Sequence, residues 1–420
     1  MYRNYTLLTI IACLILPILS GCTSNTPATI QPTTVQPTSS PIPSNTQSTV
    51  PLVISPVESQ IVQASSDIKA LDLQAQTAAQ EIWKFQTDGR ITSSPLFTDG
   101  NIYFGSDDHK LYAVDHQSGK ELWSFTADSQ IRSSPKLSGT SIVFQSHKGT
   151  LYKLDASSGK KEWSVSFSGP VTNGEQDEWD YYDSSPSIDG DVFYIGRADS
   201  HLYALSTQTG KELWSFKAAG PIKSSPIHDD TSVYFGDWAG HIYALDKKSG
   251  TLLWSYKTES FNGHIPIQSN PVIHNDVIYW GCRNFDMYAF DTKNGKMLWK
   301  QFTPAWVATP IYENDTLYVG NSNGDFMSAV EPKTGEEIWR FDTGSNILSA
   351  PVLNEGLLFF ASGYAYNNTK IEDHLFAVNA KNGQLAWKLK TDKIQTTPVV
   401  VEDVVYYTGF DGALHAVKYK

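Results

Sequence analysis

Leu111-Tyr-Ala-Val-Asp115, three residues of turn, then Gly119-Lys-Glu-Leu-Trp123 is the stretch that decides the fold. It recurs as Leu202-Tyr-Ala-Leu and Ile242-Tyr-Ala-Leu-Asp246, each followed by a glycine and a tryptophan at the same offsets. Working outward, tryptophans stand at Trp83, Trp123, Trp163, Trp214, Trp254, Trp299, Trp339 and Trp387, with intervals of 40, 40, 51, 40, 45, 40 and 48 residues. Each interval also holds a segment of the type Ile-x-Ser-Ser-Pro, ending in Pro95, Pro135, Pro186, Pro226, Pro271, Pro310, Pro351 or Pro398. A short aromatic run near glycine follows, such as Ile102-Tyr-Phe-Gly105 or Val233-Tyr-Phe-Gly236. Alternation and aromatic or β-branched content make all four parts strands, and the Ser-Gly, Thr-Gly and Asn-Gly pairs between them suit tight hairpins. A four-stranded unit at this period predicts propeller blades.

The last interval predicts how the ring closes. After Pro398 come Val404-Val-Tyr-Tyr and Leu414-His-Ala-Val-Lys-Tyr, and the chain stops before a tryptophan strand. The missing strand stands at the other end as Glu81-Ile-Trp-Lys-Phe85. The expectation is an all-β, eight-bladed propeller of four-stranded antiparallel blades, with strand 81–85 completing the last blade. Such closure removes the open sheet edge that would otherwise invite aggregation.

The pattern Ala-x-Asp-x-x-x-Gly-Lys-x-x-Trp resembles the pyrroloquinoline quinone (PQQ)-type β-propeller repeat family over residues 81–420. The resemblance implies that the eight repeat tryptophans are structural, Trp123 packing on a neighbouring blade's backbone with Ala113 giving it space. In size and anchoring the chain is similar to the BamB family of outer-membrane assembly lipoproteins, which implies a propeller presenting one face to a partner protein. Quinone-cofactor dehydrogenases share the repeat, so a PQQ- and calcium-dependent quinoprotein dehydrogenase is the alternative. Those enzymes are longer and commonly carry an adjacent cysteine pair, which this chain lacks.

The totals narrow the function further. A formal net charge of -12 repels phosphate backbones, which argues against nucleic acid as a partner. Three cysteines, Cys13, Cys22 and Cys282, leave one thiol in the predicted domain, too few for a disulfide or a thiolate metal cluster. No His-Glu-x-x-His, Gly-x-Ser-x-Gly or P-loop motif occurs. The reading is therefore non-enzymatic, with no catalytic residue, metal or cofactor.

The N-terminus has Arg3, an apolar run from Leu7 to Leu19, then Ser20-Gly21-Cys22. It reads as a signal peptide over 1–21 with Cys22 lipidated, tethering the protein to the outer face of a membrane at the cell surface or in the periplasm. Residues 22–59, rich in Thr, Pro and Ser, read as a disordered stalk, and 60–80 as a lead-in segment. The propeller, expected to be monomeric, spans 81–420.

Antiparallel alternation sorts the loops by face. First-to-second and third-to-fourth turns share one face and are uniformly short. Second-to-third and fourth-to-first loops share the other, which takes the insertions at 169–183, 260–266 and 363–374. The off-pattern tryptophans Trp179, Trp238, Trp280 and Trp306 fall there, with Tyr181, Tyr182, Phe261, Tyr364, Phe410 and Arg283. Aromatic clusters of this kind anchor protein interfaces or stack on sugars, so this face is the expected binding face for a protein or envelope polymer. His201, His241 and His374 recur at one position of the repeat, which points to a structural duty rather than a metal.

Overall fold

The computed structural model describes residues 79–167, 183–259, 267, 269–303, 306–322, 324–363 and 372–420. The signal segment, Cys22, the stalk and the lead-in up to residue 78 lie outside the described residues. Eight separate antiparallel sheets follow one another along the chain. The first blade is formed by Leu96–Thr98, Asn101–Gly105, Lys110–Asp115 and Glu121–Thr126, hydrogen-bonded in that order. The last is built from Val399–Val401, Val404–Thr408 and Ala413–Lys418, with Gln80–Gln86 paired to the third of these. The closing strand thus starts at Gln80, one residue earlier than the sequence suggests and inside the expected lead-in.

One blade departs from four plain strands. In the sixth, Trp306–Val307 and Ile311–Glu313 both pair with Thr316–Ser322, at opposite ends of it. The break between them holds Pro310, which has no N–H to continue the ladder.

The core lies between blades rather than within any one of them. A representative cluster joins Tyr103, Leu111 and Ala113 of the first blade to Ile142, Phe144 and Leu154 of the second. Second and third strands are therefore almost wholly buried, as in Ser232–Gly236, while fourth strands alternate.

The repeat tryptophan reaches that core through a bulge. In every blade the register of third and fourth strands shifts just before the tryptophan, so that Trp123 faces Ala113 while Leu122 is left unpaired. The same shift places Trp83 opposite Ala416 across the closing seam. A bulge re-aims the following side chain. It turns the tryptophan inward and the preceding residue outward, which is why Ile82, Leu122 and Leu213 are about half exposed at 50%, 50% and 54%.

The inward ring docks on the next blade. Trp123 donates from Nε1 to the Ala156 carbonyl at 3.0 Å, and Trp214 to that of Lys247 at 3.1 Å. Beneath seven of the eight rings lies a turn glycine in the left-handed region: Gly159, at φ 67°, would set a Cβ 2.6 Å from Trp123. The glycine of the Gly-x-x-x-Trp motif thus serves the previous blade's tryptophan. The second blade deviates, with Lys153 opposite Trp163 where other third strands have alanine. Lys153 Nζ is neutralised by Glu162 at 3.0 Å.

Candidate functional site at the channel mouth

The Ile-x-Ser-Ser-Pro segments run into the first strands, which follow the fourth-to-first loops. Three recurring positions in them have separate tasks. The isoleucine wedges under the glycine that ends the preceding blade's second strand. A Cβ on Gly105 would fall 2.2 Å from Ile131, and one on Gly196 the same distance from Ile222. The first serine staples its own blade: Ser224 Oγ donates to the Gly236 carbonyl at 2.9 Å and accepts from the Gly236 N–H at 3.0 Å.

The second serine builds a belt that links blade to blade. Ser94 N–H donates to Ser134 Oγ at 3.1 Å, Ser134 N–H to Ser185 Oγ at 2.9 Å, and Ser185 N–H to Ser225 Oγ at 2.9 Å. Ser225 continues to Asn270 Oδ1 at 2.6 Å and Asn270 to Thr309 Oγ1 at 3.0 Å. Across the seam, Thr397 N–H donates to Ser94 Oγ at 3.0 Å. Ala350 holds the equivalent place in the seventh blade and has no side-chain acceptor to offer.

The fourth position, x, is free to vary, and it points into the mouth of the central channel. Thr92, Arg132, Asp183, Lys223, Leu348 and Gln395 all border one cavity of about 170 Å³. Arg283 joins them from the second-to-third loop of the fifth blade. Loop connectivity places this mouth on the face that takes the insertions. Arg132 is held by Asp107 through bonds of 2.9 and 3.2 Å, and Asp183 accepts from His147 at 3.0 Å. Lys223 Nζ stands 3.9 Å above the centre of the Trp238 ring, which fixes the ammonium by cation–π attraction. Arg132 and Lys223 escaped the sequence reading. Their signal was available, since x is the position that changes inside an otherwise repeated motif.

The residues singled out from sequence separate into four groups. Arg283 borders the cavity, and Trp238 supports a residue that does. Phe410 is half-buried on the same face, with Lys393 Nζ 4.2 Å and Arg90 Cζ 5.5 Å from its ring centre. Trp280 is placed elsewhere: it is fully buried among Tyr234, Ile267 and Tyr288, and its Nε1 donates to the Ser269 carbonyl at 3.0 Å. Its position on a second strand turns it into the inter-blade core, so it does not belong to a binding surface. Trp179, Tyr181, Tyr182, Phe261 and Tyr364 lie outside the described residues, and of Trp306 only the backbone is described.

The recurrent histidines each sit beside a carboxylate and an aromatic ring. His201 lies 3.5 Å from Asp199 and against Tyr203, and His241 lies 3.4 Å from Asp237 and against Tyr243. No group of three His, Cys, Asp or Glu side chains able to hold a metal occurs among the described residues. Cys282, next to Arg283, is buried, and burial raises its thiol well above the ordinary range.

Comparison with known proteins agrees with this architecture. The fold matches the crystal structure of BamB from Moraxella catarrhalis with a TM-score of 0.65 and 16% identity, covering 81% of this chain and 100% of that one. It matches the computationally designed Ika8 protein at 0.67 and 16%, over 81% and 100%. A europium-containing methanol dehydrogenase matches at 0.65 and 14%, over 81% and 93%. In sequence, two quinoprotein alcohol dehydrogenases of Pseudomonas putida, PedE and PedH, are 36% and 34% identical over 53 residues. That stretch is 13% of this chain and 8% and 9% of theirs. The family model described as outer membrane protein assembly factor BamB matches residues 64–178, 176–305 and 289–420, and the chain belongs to that family.

Proposed function

We propose that this protein is a non-enzymatic binding or scaffold propeller, tethered through lipidated Cys22 to the outer face of a membrane. Its insertion-bearing face contacts a protein or an envelope polymer. The observation that carries the reading is the inequality of the two faces. The third-to-fourth turns repeat one geometry, with glycines at φ 68°, 67° and 68° in the first three blades. The opposite face gathers the insertions, the variable x residues and the half-buried rings of Trp238 and Phe410. Rigid scaffolds place binding on such loops. Membership of a family described as an outer membrane protein assembly factor supports a role in holding another envelope component.

The quinone-dependent alternative draws support from the 53-residue likeness to PedE and PedH. The described residues of the channel mouth do not fit that cofactor. Among the described residues no aromatic ring borders the cavity to stack on a planar quinone, and Asp183 is the one described carboxylate there to share a metal.

The test is capture of partners by the native tethered protein, compared with Trp238→Ala/Phe410→Ala. Loss of a specific partner with unchanged thermal stability is expected. Undiminished capture by the double variant would overturn the assignment of this face.

A further inference from the structure

We infer that the junction between the fifth and sixth blades is a binding site for a phenol ring, the group that the repeat carries elsewhere and lacks here. Its cavity shares no lining residue with the channel mouth, so the inference goes beyond the reading above.

Junctions such as the first-to-second and sixth-to-seventh lock three aromatic rings together. One ring belongs to a fourth strand, two residues after the repeat tryptophan. The other two face each other across the second and third strands of the next blade. Phe125 lies 6.3 Å from Phe144 and 5.4 Å from Tyr152, and Phe341 lies 6.1 Å from Phe360 and 5.4 Å from Phe376, between ring centroids.

The fifth-to-sixth junction has lost all three rings. Gln301 holds the fourth-strand place, opposite Met287 as Phe125 is opposite Leu111. Val319 and Ser328 face each other where the first blade has Phe104 and Tyr112. In each of the other seven blades this pair keeps at least one aromatic ring, as with Tyr203, Tyr243 or Phe376. The space left behind is a cavity of about 140 Å³, bordered by Gln301, Val319 and Ser328. A cavity near 150 Å³ accommodates one benzene-sized ring.

The same comparison identifies the polar group on that ring. In the fourth blade Tyr243 donates from its hydroxyl to Asp237 Oδ2 at 3.0 Å, and Asp237 directly follows the second-strand Gly236. Asn321 follows Gly320 in the sixth blade and borders the cavity. Among the described residues Asn321 Oδ1 has no hydrogen-bond partner, although the residue is only 1% exposed. The place of the tyrosine is taken by Ser328, whose hydroxyl donates to Glu337 at 2.9 Å instead. An unmet buried acceptor is destabilising, and an amide oxygen only accepts, so the ligand must donate. Arg340 and Glu337 also border the cavity but pair with each other at 2.8 Å, which favours a neutral ligand. A neutral ring with one donor is a phenol, either the side chain of a tyrosine in a partner protein or a free small molecule.

Ligand-observed NMR titration of the full chain in detergent, with a detergent blank, tests this. The probes are p-cresol and N-acetyltyrosinamide, beside toluene and N-acetylphenylalaninamide, which lack the hydroxyl. Saturable binding of p-cresol is expected, about 5-fold tighter than toluene. Asn321→Leu should remove that preference. Ser328→Tyr, which returns the ring and its hydroxyl to the junction, should abolish binding and raise the midpoint of thermal unfolding. If its circular dichroism changes, Gln301→Phe, which fills the cavity from an exposed strand position, replaces it. N-acetyltyrosinamide binding as tightly as p-cresol identifies a partner's tyrosine as the source, and binding of p-cresol alone identifies a free phenol. Binding of neither phenol, equal binding of toluene and p-cresol, or an unchanged preference in Asn321→Leu would overturn the inference. So would wild-type affinity in the filled variant.

Discussion

Tyr419 stands beside Trp387 with ring centroids 6.3 Å apart and planes at 27°, where the other seven repeat tryptophans meet a turn glycine of the next blade. The eighth blade has no third-to-fourth turn, because its third and fourth strands are the two ends of the domain. Trp387 Nε1 is accordingly buried without an acceptor, and the penultimate residue of the chain supplies the packing instead. Tyr419 donates from its hydroxyl to the Glu402 carbonyl at 3.0 Å and accepts from Asn354 Nδ2 at the same distance. Replacing Tyr419 by alanine should therefore cost about 3 kcal/mol, within the range for a buried aromatic. Urea unfolding measures it, and a change below about 1 kcal/mol would show that the seam does not depend on this ring.

The closing strand should mark the limit of tolerated truncation. A chain beginning at Ala79 keeps every bond between Gln80–Gln86 and Ala413–Lys418 and is expected to unfold as cooperatively as the full chain. One beginning at Thr87 exposes the edge of Ala413–Lys418 and leaves Gly119 without Trp83 above it. Aggregation or a broadened thermal transition is expected for the second chain alone.

Glycines of equal backbone geometry should differ in tolerance. Gly159 has φ 67°, and a Cβ there would lie 2.6 Å from Trp123. Gly139 has φ 62° with nothing within 4 Å of an added Cβ. Gly139→Ala should cost only the left-handed backbone penalty of about 1–2 kcal/mol. Gly159→Ala should cost clearly more by the same unfolding assay, since the tryptophan must also move.

Acid should loosen the seam through Asp411. Burial disfavours its charge, but hydrogen bonds from His415 at 3.0 Å and Lys84 at 2.8 Å outweigh that and hold its carboxyl at about 2. A folded value below the unfolded one means the contribution is fully present above the ordinary 3.8 and is lost as the pH falls through about 2. Asp411→Asn is expected to lower stability at neutral pH and to flatten this part of the acid limb in a stability–pH series.

Trp280→Ala should behave as a core truncation. With the ring fully buried, about 3–5 kcal/mol of stability should be lost. A variant with native stability and impaired partner capture would contradict its placement in the core.

The sequence alone determined the blade count, the strand order and the closing strand, because these rest on local spacing. Two-residue alternation, turn glycines and a tryptophan every forty or so residues are properties of neighbours along the chain. Sorting loops by face needed only antiparallel alternation. Tertiary structure decided which off-pattern aromatics face outward. Trp280 and Trp238 look alike in sequence, yet a place on a buried second strand puts one in the core, and a place just past such a strand leaves the other half-buried under Lys223. The channel mouth likewise exists only in the closed ring. Most of its residues are some 40 or more positions apart along the chain and meet because six of the blades contribute the same position to one cavity.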